Sequence, residues 1–406
     1  MLTTAADAAV GSAASGDVFG RPRGPAGPLP AAENDKGAHK LRRRSWGWRV
    51  AALVAGLALV MGLAACGDDD DEGDGGGGES RAITIQYVTD ENHPYGRAVN
   101  AFVEEVNAAD VGLTLTGQPS NPTPEPDLID QLSGGSVEMA TISSAVWDTK
   151  DVTAFQALQA PFLVDNYALE REVLNGEIGA AMIEQANQQA RNIQVLAIHE
   201  GGLRKPLGRD KAFTKPADFQ GATIRSVQSQ VLATGLRALG ANPDPLPLPE
   251  VYQALQSGTV DGMEANFGLI AGQQYYEVAR FVTGNVNFWP FPTVLAMNKD
   301  VWDSLTAEQQ EALTTAAGNI DDTSLDIVSS PSDLPQQLVN CGLRIVTASE
   351  ADRQALTQAG QRAIPQLPAE TQELVRQIQE VKDNLPAGAA PPPLPTEPTG
   401  ECELGG

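Results

Sequence analysis

The stretch 221–264 constrains the fold more than any other part of the chain. Its pattern predicts a strand that carries Arg225, a helix, a proline-rich connection, a short helix ending at Gly258, and a strand closing on Asp261-Gly262. An arginine at the carboxyl end of a buried strand is costly unless an anionic group meets its guanidinium. The partner of Arg225 is therefore either an internal carboxylate or a bound anion.

Strands alternate with helices along the chain before this stretch. The strand patterns lie at 82–88, 113–116, 137–142 and 193–199. Helical patterns separate them, including a predicted long helix from about Tyr167 to Arg191. This alternation predicts a largely parallel sheet with helices on both faces. After the last of these strands, Gly201 and Gly202 predict a hinge into a second domain.

The first 65 residues have the features of an export signal. A basic run at 40–44 precedes an apolar run at 50–65, which is short for a membrane-spanning helix and typical of a signal peptide. Small residues directly before Cys66 resemble the lipobox of bacterial lipoproteins, in which the cysteine is acylated; an uncleaved membrane anchor is the alternative. We therefore predict a signal peptide with an N-terminal extension at 1–65, and a lipidated, flexible, acidic tether at 66–81.

Composition excludes several classes of function. The chain carries a net charge of −25, so nucleic acid is an unfavourable partner, and an acidic ligand would need an enclosed, arginine-lined site. It has three histidines and no nucleophile elbow, zinc-ligand spacing, P-loop or nucleotide-binding glycine motif. We predict no catalytic residue, no metal and no cofactor. A secreted hydrolase is the enzymatic alternative, which the scarcity of histidine and the lack of paired-carboxylate motifs disfavour.

The features around Arg225 resemble the signature of the solute-binding proteins of TRAP transporters, the DctP-type family. The resemblance rests on the arginine-bearing strand and on the runs 239–243, 250–258 and 260–264. It implies a two-lobed periplasmic-binding-protein-like α/β fold with crossing segments and a long lobe-spanning helix. It also implies that the lobes capture a small organic anion and deliver it to membrane permease subunits. An ABC-type receptor or a sensory binding protein is the nearer alternative.

The resemblance also divides the chain into lobes. It places residues 82–201 and 290–330 in lobe I and residues 202–289 and 331–385 in lobe II, followed by a proline-rich tail at 386–406. A strand at 293–298 would return to lobe I. Thr306 and Gln309 then form a capping box for a long helix over 307–328.

Two arginines are the first candidates for the ligand site. In the family, the arginine that matches Arg225 forms a salt bridge to the ligand's carboxylate. Arg204 matches an arginine on a segment between the lobes, which implies a second contact; a rim arginine paired with Glu200 is the alternative. Many family members have a ligand-facing Asn where this chain has Ala265. That contact is either absent here or made by Asn266.

The other predicted ligand-binding residues each have a structural alternative. Glu264 either contacts the ligand or receives backbone or arginine bonds. Phe288 and Trp289 form either an apolar wall of the cleft or part of the core. His93, directly before a helix, either approaches the cleft or supports a loop.

Cysteine use points to an oxidising exterior. With Cys66 predicted to be acylated, Cys341 and Cys402 remain as an even pair. A disulfide between them would tie the tail to the body of the protein and would contribute about 4 kcal/mol on the chain-entropy model.

Overall fold

Two β-sheets form the framework of the part of the chain that this computed structural model describes, residues 80–386 and 393–404. The strands are β1 Arg81–Gln86, β2 Leu113–Gln118, β3 Met139–Ser143, β4 Ile193–His199, β5 Lys205–Gly208, β6 Thr223–Ser226, β7 Asn242–Pro245, β8 Gly262–Ala265, β9 Phe281–Thr283, β10 Thr293–Asn298 and β11 Arg344–Val346. The first sheet has the order β2-β1-β3-β10-β4, and the second has the order β11-β9-β5-β8-β6-β7. Each sheet with its helices forms one lobe.

Helices cover both sheets. They are α1 Pro94–Ala108, α2 Glu125–Ser133, α3 Tyr167–Leu174, α4 Glu177–Gln189, α5 Pro216–Phe219, α6 Gln230–Leu239, α7 Val251–Ser257, α8 Phe267–Gly272, α9 Lys299–Asp303, α10 Ala307–Ser329, α11 Leu334–Asn340, α12 Glu350–Gly360 and α13 Ala369–Asn384. The capping box of Thr306 and Gln309 at the start of α10 is confirmed. The main packing partners of α10 are α1, α3 and β4.

Two local predictions were wrong. The pattern from Tyr167 to Arg191 is not one helix, because the chain breaks between α3 and α4 at Gly176. A side chain at Gly176 would come within 2.5 Å of the Glu172 carbonyl. The proline-rich connection after α6 contains a strand, β7, which lies at the edge of the second sheet. An edge strand tolerates proline because one of its sides needs no hydrogen-bond donors.

The chain crosses from one sheet to the other twice, and the two crossing segments are hydrogen-bonded to each other. Strand β4 leads through 200–204 into β5, and residues 284–292 lead back from β9 to β10. The Arg204 amide donates to the Trp289 carbonyl at 2.9 Å, and the Phe288 amide donates to the Arg204 carbonyl at 2.8 Å. Strand β10 returns antiparallel between β3 and β4. Apolar packing is continuous across both lobes, since one core cluster contains residues of each.

The C-terminal part of the chain packs on both lobes. Helix α12 packs on α5 and α6, whereas α13 packs on α3 and α4. The described tail, 393–404, lies on lobe II, where the Tyr276 hydroxyl donates to the Leu404 carbonyl at 3.2 Å. The Cα atoms of Cys341 and Cys402 are 4.5 Å apart. That separation lies in the range a disulfide spans.

Several predictions concern residues that the structure does not describe. The signal peptide, the acylation of Cys66 and the tether up to residue 79 lie outside the described residues, as do positions 387–392 and 405–406. The predicted end of the tether at residue 81 was wrong, because Arg81 is the first residue of β1. Among the helices of the described ranges, none has the length and apolar run needed to cross a membrane.

Candidate functional site

Arg225 lies near the end of β6, between β7 and β8, and only 3% of its surface is exposed. Its Nε and Nη2 atoms donate to the Leu246 carbonyl at 3.0 and 2.8 Å. Its Nη1 atom is 3.9 Å from Oε1 of Glu264. Burial lowers the pKa of Arg225 and Glu264 raises it, but a guanidinium keeps its proton at physiological pH. The backbone carbonyl of Leu246 therefore fixes one edge of the guanidinium. The positive charge of Arg225 is paired with Glu264 only at a long distance.

Glu264 joins Arg225 to Arg204. The Arg204 Nε atom is 3.4 Å from Oε2 of Glu264, and the guanidinium carbon lies 3.6 Å above the centre of the Phe291 ring. Glu264 is fully buried, and burial raises its pKa against the opposing effect of the two arginines. Arg204 therefore pairs with Glu264 and not with Glu200. We call Arg204, Arg225 and Glu264 the arginine cluster.

A small cavity adjoins Arg225 at the boundary between the lobes. Lobe I contributes Val88 and 123–125 to its wall, and lobe II contributes Arg225, 227–228 and 246–249. Its volume is about 10 Å³, which is room for about one water molecule. An organic acid fits here only after the lobes have moved apart.

His93 caps helix α1. Its Nδ1 atom accepts a hydrogen bond from the Tyr95 amide at 3.2 Å, and its buried Nε2 atom has no partner among the described residues. Burial, and secondarily Arg204, lowers the pKa of His93 to about 3. The imidazole is therefore neutral at physiological pH, with its proton assigned to Nε2 because Nδ1 is an acceptor.

Asn266 connects lobe II to the hinge. Its Oδ1 atom accepts from the Leu269 amide at 2.7 Å as the cap of α8, and its Nδ2 atom donates to the Gly201 carbonyl at 2.7 Å. The preceding residue, Ala265, is fully buried in β8. Both polar atoms of the Asn266 amide are therefore hydrogen-bonded within the protein.

Phe288 and Trp289 lie in the core cluster that the two lobes share. The Phe288 ring makes edge-to-face contacts with Phe162 and Phe219, and it stacks on Trp289 at 5.1 Å between ring centroids. Both side chains are almost completely buried. They lie beside the segment of Arg204 but do not line the cavity of Arg225.

Sequence reasoning missed three polar residues near the arginine cluster. Tyr95 donates through its hydroxyl to the Phe291 carbonyl at 2.5 Å. Tyr275 is fully buried beside Arg225, and burial raises its pKa to about 12. Glu125 reaches the cavity from lobe I. No local signal marks the tyrosines, whereas Glu125 could have been noticed as the first residue of a helix that follows Pro124.

A second set of buried charges lies at the hinge. Glu170 of α3 and Glu200 after β4 are fully buried, and Asp321 of α10 is partly buried; we call these three residues the hinge acids. Burial, followed by Glu200, raises the pKa of Glu170 well above its usual value. Burial, followed by Asp322, raises the pKa of Asp321 to about 8. In the described ranges, no group of acidic, histidine or cysteine side chains has an arrangement that could hold a metal ion.

Glu200 also fixes the backbone of the hinge. Its Oε1 atom accepts from the amides of Gly202 and Phe291, one on each crossing segment. Gly202 has φ +120°, a conformation that L side chains rarely adopt. A side chain at Gly201 would overlap the Tyr95 ring. The two glycines are therefore required by backbone geometry and by close packing.

Comparison with known proteins agrees with this architecture. A family model described as "bacterial extracellular solute-binding protein, family 7" matches residues 85–371. The 2,3-diketo-L-gulonate-binding periplasmic protein of Escherichia coli is 25% identical over 270 residues, 66% of this chain and 80% of that protein. The C4-dicarboxylate-binding periplasmic protein of Rhodobacter capsulatus is 28% identical over 261 residues, 63% and 76% of the two chains.

Solved structures share the fold. The sugar acid binding protein of Advenella mimigardefordensis, in complex with galactonate, superposes with a TM-score of 0.69 at 24% identity. The match covers 75% of this chain and 98% of that one. At this identity the likeness concerns the fold.

Proposed function

Because the chain belongs to family 7 of the bacterial extracellular solute-binding proteins, we propose that it captures a small organic anion between its lobes and delivers it to the permease of a TRAP-type secondary transporter. Its relatives support a carboxylate ligand: their names specify a diketo-gulonate and C4-dicarboxylates, and galactonate is bound in the solved structure described above. All of these ligands are carboxylic acids that carry negative charge at neutral pH.

The observation that carries the proposal is the charge of the arginine cluster. Two guanidiniums, each 3% exposed, share one fully buried carboxylate at 3.4 and 3.9 Å. A buried positive charge without a full partner is unfavourable, and a bound carboxylate would supply that partner. The guanidinium of Arg225 would meet the carboxylate with charge-assisted hydrogen bonds, each contributing about 1.5–3 kcal/mol.

Binding is proposed to alternate with opening at the two crossing segments. Asp148 of lobe I accepts from the Ser229 hydroxyl at 2.8 Å and from the Gln230 amide at 2.9 Å in lobe II. These contacts close the cleft over a cavity too small for an organic acid. We infer that ligand enters the separated lobes and that its contacts with both lobes favour the closed form.

We also propose that the protein is anchored to the membrane by a lipid and that Cys341 and Cys402 form a disulfide. Acylated Cys66 would hold the protein on the outer face of the cell membrane, with the acidic tether keeping the lobes off a surface that repels it. Mass spectrometry of the membrane fraction tests this, because a Cys66→Ser variant should lose both the lipid and the membrane association. Thiol titration of the denatured, unreduced protein tests the pair Cys341 and Cys402, for which we expect no free thiol.

A thermal-shift screen of carboxylates, followed by calorimetry on the hits, tests the ligand class. Arg225→Ala should weaken binding about 100-fold, which corresponds to about 3 kcal/mol, without unfolding the protein. Arg209→Ala is the matched control, since the Arg209 side chain is partly exposed and pairs with Asp210 at 2.9 Å. Unchanged affinity in Arg225→Ala would remove this arginine from the site.

A further inference from the structure

The carboxylate of Asp148 joins the two lobes. Asp148 lies in the short 3₁₀-helix Ser144–Lys150, which follows β3 in lobe I. Its Oδ2 atom accepts from the Ser229 hydroxyl at 2.8 Å and from the Gln230 amide at 2.9 Å, and both donors lie at the start of α6 in lobe II. A carboxylate of one lobe therefore completes the N-terminus of a helix in the other lobe.

The start of α6 favours a carboxylate for two reasons. Gln230 is the first residue of the helix, so its amide has no hydrogen-bond partner within the helix. The helix dipole also places partial positive charge at this end. Ser229 remains the helix cap while it donates to Asp148, because its oxygen accepts from the Leu232 amide at 3.4 Å. The contact therefore satisfies a donor that the helix itself leaves unsatisfied.

The charge of Asp148 is compensated by lobe II. Lys150, the nearest lysine along the chain, pairs with Asp130 at 2.7 Å. Burial raises the pKa of Asp148, and the groups that oppose this rise are the hydroxyl and two amides at the start of α6. Separation of the lobes would remove all three of these groups from Asp148.

The contact of Asp148 with α6 is separate from the wall of the ligand cavity. The lobe II wall includes Val227 and Gln228, directly before Ser229, but neither Asp148 nor its two hydrogen-bond donors line the cavity. Asp148 can therefore affect ligand binding only through the position of the lobes.

The closed arrangement that this contact holds has no room for an organic acid. The cavity beside Arg225 has a volume of about 10 Å³, which is room for about one water molecule. A ligand must therefore enter an open form, in which Asp148 and the start of α6 are apart. When only a fraction of the protein is open, the apparent affinity and the rate of capture fall with that fraction.

We propose that Asp148 is a latch that holds the ligand-free protein closed and thereby slows ligand capture. The effect on capture rests on the proposed function, whereas the closure of the ligand-free protein does not. Asp148 is a positioning residue in this role, since it sets the distance between the lobes without touching the ligand. Loss of the latch should make capture faster, which the loss of a merely structural contact would not do.

Small-angle scattering of the ligand-free protein tests the closure. Asp148→Ala removes the acceptor, and Gln230→Pro removes the amide donor at a position where a helix tolerates proline. Both variants should shift the radius of gyration to a larger value. Asp130→Asn is the control, because Asp130 is exposed and its partner Lys150 lies in the same lobe, so the radius should not change.

Stopped-flow kinetics test the effect on capture. The probe is whichever of succinate, gluconate and pyruvate gives the largest thermal shift with the unmodified protein. Its association rate constant should rise about threefold or more in Asp148→Ala and in Gln230→Pro, and it should not change in Asp130→Asn. The order of preference among the three acids should stay the same, because the latch does not line the cavity.

The outcomes distinguish the latch from the proposed function. An unchanged radius of gyration in Asp148→Ala or Gln230→Pro overturns the latch, as does an association rate that stays the same or falls. If those results come with binding that still depends on Arg225, the carboxylate site stands and only the role of Asp148 is wrong. If none of the three acids binds, the proposed function fails, and the scattering comparison still decides whether Asp148 holds the lobes together.

Discussion

The arginine cluster and the hinge acids are two solutions to the burial of carboxylates in one molecule. Glu264 is buried against two guanidiniums. Among the described residues, no lysine or arginine forms an ion pair with Glu170, Glu200 or Asp321. At the hinge, the negative charge is met by backbone amides and by protonation. Where two arginines neutralise one buried carboxylate, a positive charge is left over for a ligand. Where a proton neutralises a carboxylate, no such charge is left.

Glu264→Gln should produce the largest loss of stability. It leaves Arg204 and Arg225 buried without the carboxylate that pairs with both of them, and breaking a buried ion pair in this way costs about 3–5 kcal/mol. Denaturant unfolding at pH 7 measures the change. Glu138→Gln is the control, because its pair with Arg81 lies at the surface and should contribute less than about 1 kcal/mol. Equal losses in the two variants would show that burial gives the arginine cluster no special role.

Asp321→Asn tests whether one of the hinge acids, Asp321, is protonated in the native state. The native Asp321 carboxyl keeps its proton up to a pKa of about 8, whereas the unfolded chain loses it near 3.8. Between these values the native state binds more protons, so its stability falls as pH rises. The variant lacks this penalty and should be close to the unmodified protein near pH 4, then exceed it by about 5 kcal/mol at pH 8.

The neighbouring residue, Asp322, provides a control for the removal of an exposed negative charge. The Asp322 side chain is 59% exposed and pairs with Arg171, so Asp322→Asn should cost only a small amount of stability and should not reproduce the gain of Asp321→Asn at high pH. Unfolding curves across the pH range distinguish the two patterns. A constant difference between Asp321→Asn and the unmodified protein would mean that Asp321 is ionised in the native state.

Asn266→Ala should have an intermediate effect, because Asn266 links the two clusters. It follows the strand of Glu264 and donates to the Gly201 carbonyl, directly after Glu200. Loss of the α8 cap and of this hydrogen bond should reduce stability by about 1–2 kcal/mol. Ser349→Ala removes only a cap, that of α12, and should cost about 1 kcal/mol. If both variants lose the same amount, the contact with Gly201 does not stabilise the hinge.

Local patterns in the sequence predicted much of this framework. The structure confirms the strand of Arg225, the start of α10 and strand β4. Each of these predictions depended on a few adjacent residues. The break at Gly176 was missed because a helical apolar pattern continues on both sides of it. Strand β7 was missed because its prolines exclude a central strand but not an edge strand.

The contacts within the site could not be predicted in the same way. Arg225 and Arg204 were predicted to bind ligand from a family resemblance, but nothing near either residue in the sequence indicates that they share Glu264. The hinge acids come from three separate elements, α3, the end of β4 and α10. Their proximity is a property of the packed fold, since each is an ordinary acidic residue within its own local sequence.

Glu170→Gln should have the smallest effect and is the most direct test of the comparison. Glu170 is fully buried, and burial, followed by the neighbouring Glu200, raises its pKa well above the usual range. Because burial favours the neutral form of this carboxyl group, an amide of the same shape is a close match for it. Denaturant unfolding should therefore show a change of less than about 1 kcal/mol, in contrast to the same substitution at Glu264. A loss above about 2 kcal/mol would mean that Glu170 is charged in the native state, so that protonation could no longer distinguish the hinge acids from the arginine cluster.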